Sequence, residues 1–269
     1  MSLSKPLDIL PVELQLKLVG FLPLTALIMM QGVSKYWKVV IEGSLDRPHV
    51  VHPTRYLLFS FWKEVLTQNW FLPSREHILP SIKPFDREKY IKDLPGGIPL
   101  SFEMWVREWP SKAVIGWTWP GLDGKLVKLD SPTHWYRICE RNLLSVQLIE
   151  QEGRRIIKRT FEEGQWDYYS ESEPEDESGS ESSAKFTYTA DAIPINTRPS
   201  AKACPGEMGD TALIICPGRE EDGMVQTEFD LDGPKAIECM NCWMDFLSWQ
   251  SSVISIDYDT LFNKQTSSS

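Results

Sequence analysis

Cys239 and Cys242 form a Cys-Met-Asn-Cys pair, a spacing at which two thiolates can share a zinc ion. A structural zinc site needs two more ligands. Cys139, Cys204, Cys216 and the histidines His49, His52, His77 and His134 arrive at no matching interval. The pair is therefore expected on one face of a helix, as ordinary buried thiols, with no metal. The histidines sit beside proline or aromatic residues in loop-like settings, where packing and surface roles are commoner than base catalysis. The chain has no G-x-S-x-G elbow, Walker loop, H-E-x-x-H pair or kinase signature, so neither a catalytic residue nor a cofactor is expected. Trp105, Trp109, Trp117, Trp119 and Trp135 cluster in sequence. Their spacing fits a buried core better than a groove for a Pro-rich peptide.

A different chemistry is written into residues 170–183, SESEPEDESGSESS. Ser170, Ser172 and Ser178 each have a Glu three positions later, the pattern acidophilic kinases favour. Each phosphate would add about −1.5 to −2 charge. With no apolar residue to offset its ordering entropy, this run reads as a disordered acidic insertion. A solvated linker is the commoner meaning of such a run, and contact with a basic partner is the alternative.

Bulk properties narrow the function classes. A formal charge of −10 with scattered Lys and Arg argues against a nucleic-acid footprint. The most apolar stretch, Leu16 to Met30, contains Lys17, Gly20, Pro23 and Thr25 and falls short of the roughly 20 residues a membrane span needs. The first residues, MSLSKPLD, carry no secretory pattern, and five irregularly spaced cysteines do not resemble a disulfide framework. Thiols in the cytoplasm or nucleus are expected.

The elements that must position any site divide the chain into three regions. Residues 6–45 read as three short helices punctuated by Pro11, Pro23 and Gly32. Residues 46–92 form a helical bridge, with Leu57, Leu58, Phe61, Trp62, Val65 and Leu66 on one helix face between Thr54 and Trp70. Residues 93–262 read as an α+β domain with a mostly antiparallel sheet. It opens with a helix over Ser101–Trp109 that Pro110 stops. Strands are expected at Ala113–Trp119, Lys125–Leu129, Leu143–Glu150, Arg154–Phe161, Asp210–Cys216 and Met224–Asp230, with EGR and PGREEDG as hairpin connections. A closing helix spans Lys235–Trp249. No repeat of leucine-rich, kelch or WD period is present.

The string LDILPVELQLKLVGFLPLTALIMMQGVSKYWKVVI resembles the F-box motif: Leu-Pro, a Glu two positions on, spaced Leu and Ile, then Val-Ser-Lys-x-Trp. The resemblance covers about residues 6–45. A unit of about 40 residues cannot enclose its own apolar surface, which fits a docking role. The resemblance implies that Leu10, Pro11, Leu14, Leu18, Leu22 and Leu27 face a Skp-type subunit, while Val33, Trp37 and Ile41 pack the F-box interior. It also implies an adaptor role, in which the chain joins the Skp subunit and, through it, a cullin-RING ubiquitin ligase, and presents an unknown protein substrate. A Skp-bound scaffold that delivers no substrate, and a small enzyme with its active site in the α+β domain, remain alternatives. The closing segment CWMDFLSWQ is similar to the end of SUKH-superfamily domains, through Phe246, Leu247 and the order of elements.

Overall fold

Proline sets the boundaries of the first helices. α1 (Val12–Phe21) begins after Pro11 and α2 (Leu24–Val33) after Pro23; each proline precedes the helix, where its missing N–H costs no intrahelical bond. α3 (Lys35–Leu45) starts at Ser34, whose Oγ accepts from the Trp37 amide at 3.2 Å. The computed structural model describes residues 10–45, 47, 49–125, 134–136, 141–154, 156–162, 187–197, 208–215, 223–229 and 236–266. Over these residues the protein is α+β, with a helical N-terminal half followed by an antiparallel sheet and a final helix.

α4 (Pro53–Thr67) has Pro53 in its first turn and His52 as its cap, the imidazole Nδ1 accepting from the Thr54 amide. Its inner face is Leu58, Phe59, Phe61 and Val65. Leu57 and Leu66, expected on that face, are exposed, because the buried stripe is rotated toward Phe59. α1 crosses the chain before α4 so closely that a Cβ on Gly20 would lie 2.4 Å from the Val50 carbonyl oxygen; only glycine fits there.

α5 (Phe71–Ile78), α6 (Arg87–Lys92) and α7 (Leu100–Glu108) follow. Two arginines lock the backbone around them. The buried Arg75 guanidinium donates to the carbonyls of Phe71, Lys112 and Val114, and burial pushes its pKa down to about 10. Arg87 Nη1 reaches the carbonyls of Val106, Arg107 and Trp109, satisfying acceptors that the end of α7 leaves open. Pro110 ends that helix as expected.

The next segment departs from the sequence reading. Residues 113–119 are not a strand: a 3-10 turn over Ser111–Ala113 leads into irregular chain with Gly116 at φ 57°. The Arg75 bonds, and the Lys83 amide donating to the Gly121 carbonyl at 2.8 Å, take the place of a ladder. The strand expected at 125–129 lies, beyond Lys125, outside the described residues. Residues 143–150 are not a strand either. After the two-residue β1 (Arg141–Asn142), the chain enters α8 (Val146–Glu152). Asn142 turns it there, donating from Nδ2 to the Trp119 carbonyl and accepting the Leu144 amide on Oδ1. Gly153, at φ 80°, ends the helix. The EGR segment thus joins a helix to β2 (Ile157–Glu162) and is no hairpin.

β3 (Thr187–Thr197) is the long inner strand and has no counterpart in the sequence reading. β1 and β2 pair along one of its sides, and β4 (Met208–Ile215), β5 (Val225–Phe229) and β6 (Ala236–Met240) extend the sheet from the other, all antiparallel. Pro194 falls in the gap between the β2 and β1 pairings and at a register shift against β4, where a strand tolerates a missing N–H. Alternation splits the strands: Ile193, Ile195, Leu213, Ile215 and Val225 join the main core, while Ala190, Ala192, Ala212 and Ile214 form a smaller cluster. The closing helix starts later than expected. α9 (Trp243–Thr266) follows β6, so residues 236–240 are strand.

One apolar cluster runs from Val19 through Trp37, Leu58, Trp105 and Leu213 to Ile254. At its middle, Trp105 packs edge-on to Trp119 and against Trp243, both at 4.8 Å between ring centroids, and Phe102 meets Trp243 at the same distance. Such pairs each add about 0.5–1.5 kcal/mol beyond their burial. Trp109, Trp117 and Trp135 are buried as well, so the tryptophans form core and line no open groove.

Candidate functional site: an N-terminal apolar face and a polar cleft

The interior of the first three helices is made by Val19, Leu24, Leu27, Trp37, Ile41 and Leu45, all buried. Once these are packed, large apolar side chains still remain outside. Seven of the sixteen exposed among the described residues fall between Val12 and Val39, a concentration that scattered surface leucines do not explain. Phe21 is 84 % exposed, Met29 68 % and Leu14 47 %.

The Leu10–Pro11 turn is held in place from within. Gln15, buried between α1 and α3, donates from Nε2 to the Leu10 carbonyl at 2.8 Å and accepts the Tyr36 hydroxyl at 2.5 Å. The turn is therefore fixed relative to α3 before anything binds, which lowers the ordering cost of a contact made through it.

The residues singled out in sequence divide as follows. Pro11 and Leu14 are exposed; Leu10, Leu18 and Leu22 are half-buried, the last two packed against the core with one side left open. Trp37 and Ile41 are interior, as the resemblance implies. Two positions trade places. Leu27, assigned to the docking face, is fully buried because α2 turns it toward α3 and α4; Val33, assigned to the interior, lies at the last turn of α2 and is 59 % exposed. Val12, Phe21, Met29, Tyr36 and Val39 were not singled out. Exposed apolar side chains beyond the motif's leucines were the missing signal.

Comparison with protein-family models, curated proteins and solved structures finds no match.

Of the other candidates, Cys239 lies in β6 and Cys242 in the bend before α9, so the pair does not share a helix face. Cys242 is half-buried, and that burial raises its thiol pKa. Among the described residues no group of three His, Cys, Asp or Glu side chains converges. No described helix is long and apolar enough to cross a membrane. His77 is in α5, not a loop, and its ring stacks on Tyr136 at 5.0 Å. Ser170, Ser172 and Ser178, the whole of 170–183, and Cys139, Cys204 and Cys216 lie outside the described residues.

A concave site of about 310 Å³ opens between the 83–86 segment, α6, the Pro120–Gly121 corner and α8. Tyr90 lines it and is 5 % exposed, with the Arg154 guanidinium 4.8 Å above the ring. Among the described residues, the Tyr90 hydroxyl and Arg154 Nη1 are both buried without a geometric hydrogen-bond partner. Burial pushes the Tyr90 phenol up to about 12, against the opposing pull of the Arg154 cation. Its proton is thus held in the folded state after the unfolded chain has lost it. Stability linked to Tyr90 is complete below about pH 10 and falls as pH rises from about 10 toward 12. Ultraviolet titration of the native protein should show a late-ionising tyrosine that Tyr90→Phe removes, and the same substitution should flatten the alkaline slope of stability.

Proposed function

We propose that the face built by α1, α2 and α3 docks onto a Skp-type subunit and that the protein is an F-box adaptor of a cullin-RING ubiquitin ligase. The observation that carries this reading is a three-helix unit with a completed interior that still holds Pro11, Leu14, Phe21 and Met29 outside it. The docking set is Leu10, Pro11, Leu14, Leu18 and Leu22 from the motif, extended by Phe21 and Met29; Leu27 belongs to the interior. Apolar anchors on a pre-fixed turn fit a permanent partner better than a transient one, because their burial is non-directional and their ordering cost is low. The chain itself performs no chemistry in this scheme. The α+β part holds a protein substrate, and ubiquitin transfer takes place on the ligase.

The test is affinity purification of the intact chain under proteasome inhibition. A Skp-type subunit and a cullin should be recovered together. Recovery of the Skp subunit without cullin would replace the adaptor with a Skp-bound regulator, and recovery of neither would reject the docking face. Removing residues 6–45 is not a clean control, since Leu24, Leu27, Trp37 and Ile41 belong to the same core as the rest of the chain.

A further inference from the structure

The cleft between α6 and α8 has a chemistry of its own. Its lining carries Lys83, Lys89 and Arg154 against Asp86, Asp93 and Glu150. With charges balanced, bulk attraction selects neither sign of ligand. The two orphan groups decide it. Arg154 Nη1 can only donate, and neither it nor the buried Tyr90 hydroxyl has a geometric partner among the described residues. A buried donor left unpaired is costly, so a ligand that supplies acceptors recovers that cost on binding. Asp86 is not that acceptor, being occupied as the cap of α6, where it takes the Lys89 amide at 3.0 Å. Lys83 and Lys89 have no ion pair among the described residues, which leaves them available at the rim.

The remaining walls are apolar: Phe85, Pro120, Val146 and Ile149. The Pro120–Gly121 corner is rigid, since a Cβ on Gly121 would lie 2.5 Å from the Lys83 carbonyl oxygen, and the Val146 amide donates to the Pro120 carbonyl at 2.9 Å. A volume of about 310 Å³ stands at the small end of ligand sites and admits one ring or one to two amino-acid residues.

We propose that this cleft binds a small amphipathic anion, with a carboxylate or phosphate head on the Tyr90 hydroxyl and the Arg154 guanidinium and an apolar body against Phe85 and Ile149. The head and body can belong to a free organic acid or to an acidic residue beside an apolar one in a peptide. The cleft and its ligand do not depend on the Skp-docking reading; only their meaning as a substrate pocket does.

The experiment is titration of the full chain, followed by calorimetry and amide NMR, with 3-phenylpropionate, phenyl phosphate, the neutral 3-phenylpropionamide, inorganic phosphate and acetyl-Phe-Glu-amide. The anionic aryl probes should bind about tenfold or more tighter than the amide, the worth of one charge-assisted hydrogen bond. Shifts should be confined to residues 83–93, 120–121 and 146–154. Arg154→Met should remove that preference, and Tyr90→Phe should weaken it while leaving the fold intact, because it deletes one hydroxyl and keeps the buried ring under Arg154. Tighter binding of the dipeptide assigns a protein-borne ligand; tighter binding of the free acids assigns a metabolite. Equal binding of amide and acid, inorganic phosphate binding as tightly as phenyl phosphate, shifts elsewhere, or no saturable binding would each overturn the proposal. None of these outcomes bears on recovery of the Skp subunit.

Discussion

A chain carrying Leu14→Asp and Phe21→Asp should keep its melting temperature and lose the Skp-type subunit. Both side chains are largely in solvent, 47 % and 84 % exposed, so the free protein loses little by exchanging them for a carboxylate. In a docked complex the same carboxylates would be buried without a partner. Loss of a central apolar anchor costs about 2–4 kcal/mol, and an unpaired buried charge adds to it, which amounts to roughly 30-fold to 1,000-fold in affinity. Leu27→Ala is the informative contrast. Deleting a fully buried leucine should cost about 2–5 kcal/mol of folding stability, so any loss of Skp there should track lost folded protein. Binding assays at matched folded concentration, beside thermal melts, separate the two. Undiminished binding by the double aspartate variant would remove the face from contention.

The second large effect is expected at Glu108. Its Oε2 accepts the Leu24 amide at 2.8 Å, and the carboxylate takes Arg55 in a bidentate pair, Nε at 2.8 Å and Nη2 at 2.7 Å. Pro23, at the start of α2, provides no side-chain cap, so a residue 84 positions away does the work, with its charge at the positive end of that helix. Arg55 also donates to the Gly20 carbonyl at 3.2 Å, which brings α1 into the same junction. Glu108→Ala strips the cap and leaves a guanidinium, 15 % exposed, without its counter-ion. A loss of about 3–5 kcal/mol is expected, by denaturant melts at neutral pH. Glu108→Gln, which keeps an acceptor for Leu24, should cost less. If the two substitutions cost the same, the cap contributes nothing.

The helices were legible where proline and periodicity agree. Pro99 and Pro110 bracket Phe102, Trp105 and Val106, and α7 falls within one residue of the expected bounds. The hairpin from β4 to β5 was legible from alternation on both sides of PGREEDG. Other elements were hidden for physical reasons. TYTADAIPINT reads poorly as a strand because Asp191 and Pro194 sit in it, yet the gap between β1 and β2 accommodates the proline. LLSVQLIE has apolar residues at both strand and helix spacing; Asn142, bonded to a carbonyl 23 residues away, decides in favour of the helix. On the N-terminal helices, the motif led to Leu10, Pro11 and Leu14 but gave no sign that Leu27 turns inward, which depends on how α2 packs. The cleft was invisible, since its orphan donors, Tyr90 and Arg154, are brought together only by the packing of α6 against the end of α8.

The continuous core from Val19 to Ile254, pinned at Glu108, also governs mechanics. An assembly that transfers a group between two proteins needs the acceptor held at a set reach from the donor. Among the described residues, the first three helices share one core with the body that follows. In the proposed adaptor, whatever the body grips is presented at one bearing and one distance, so lengthening or softening the 46–52 connection should change which target lysines are reached before it changes how tightly anything binds.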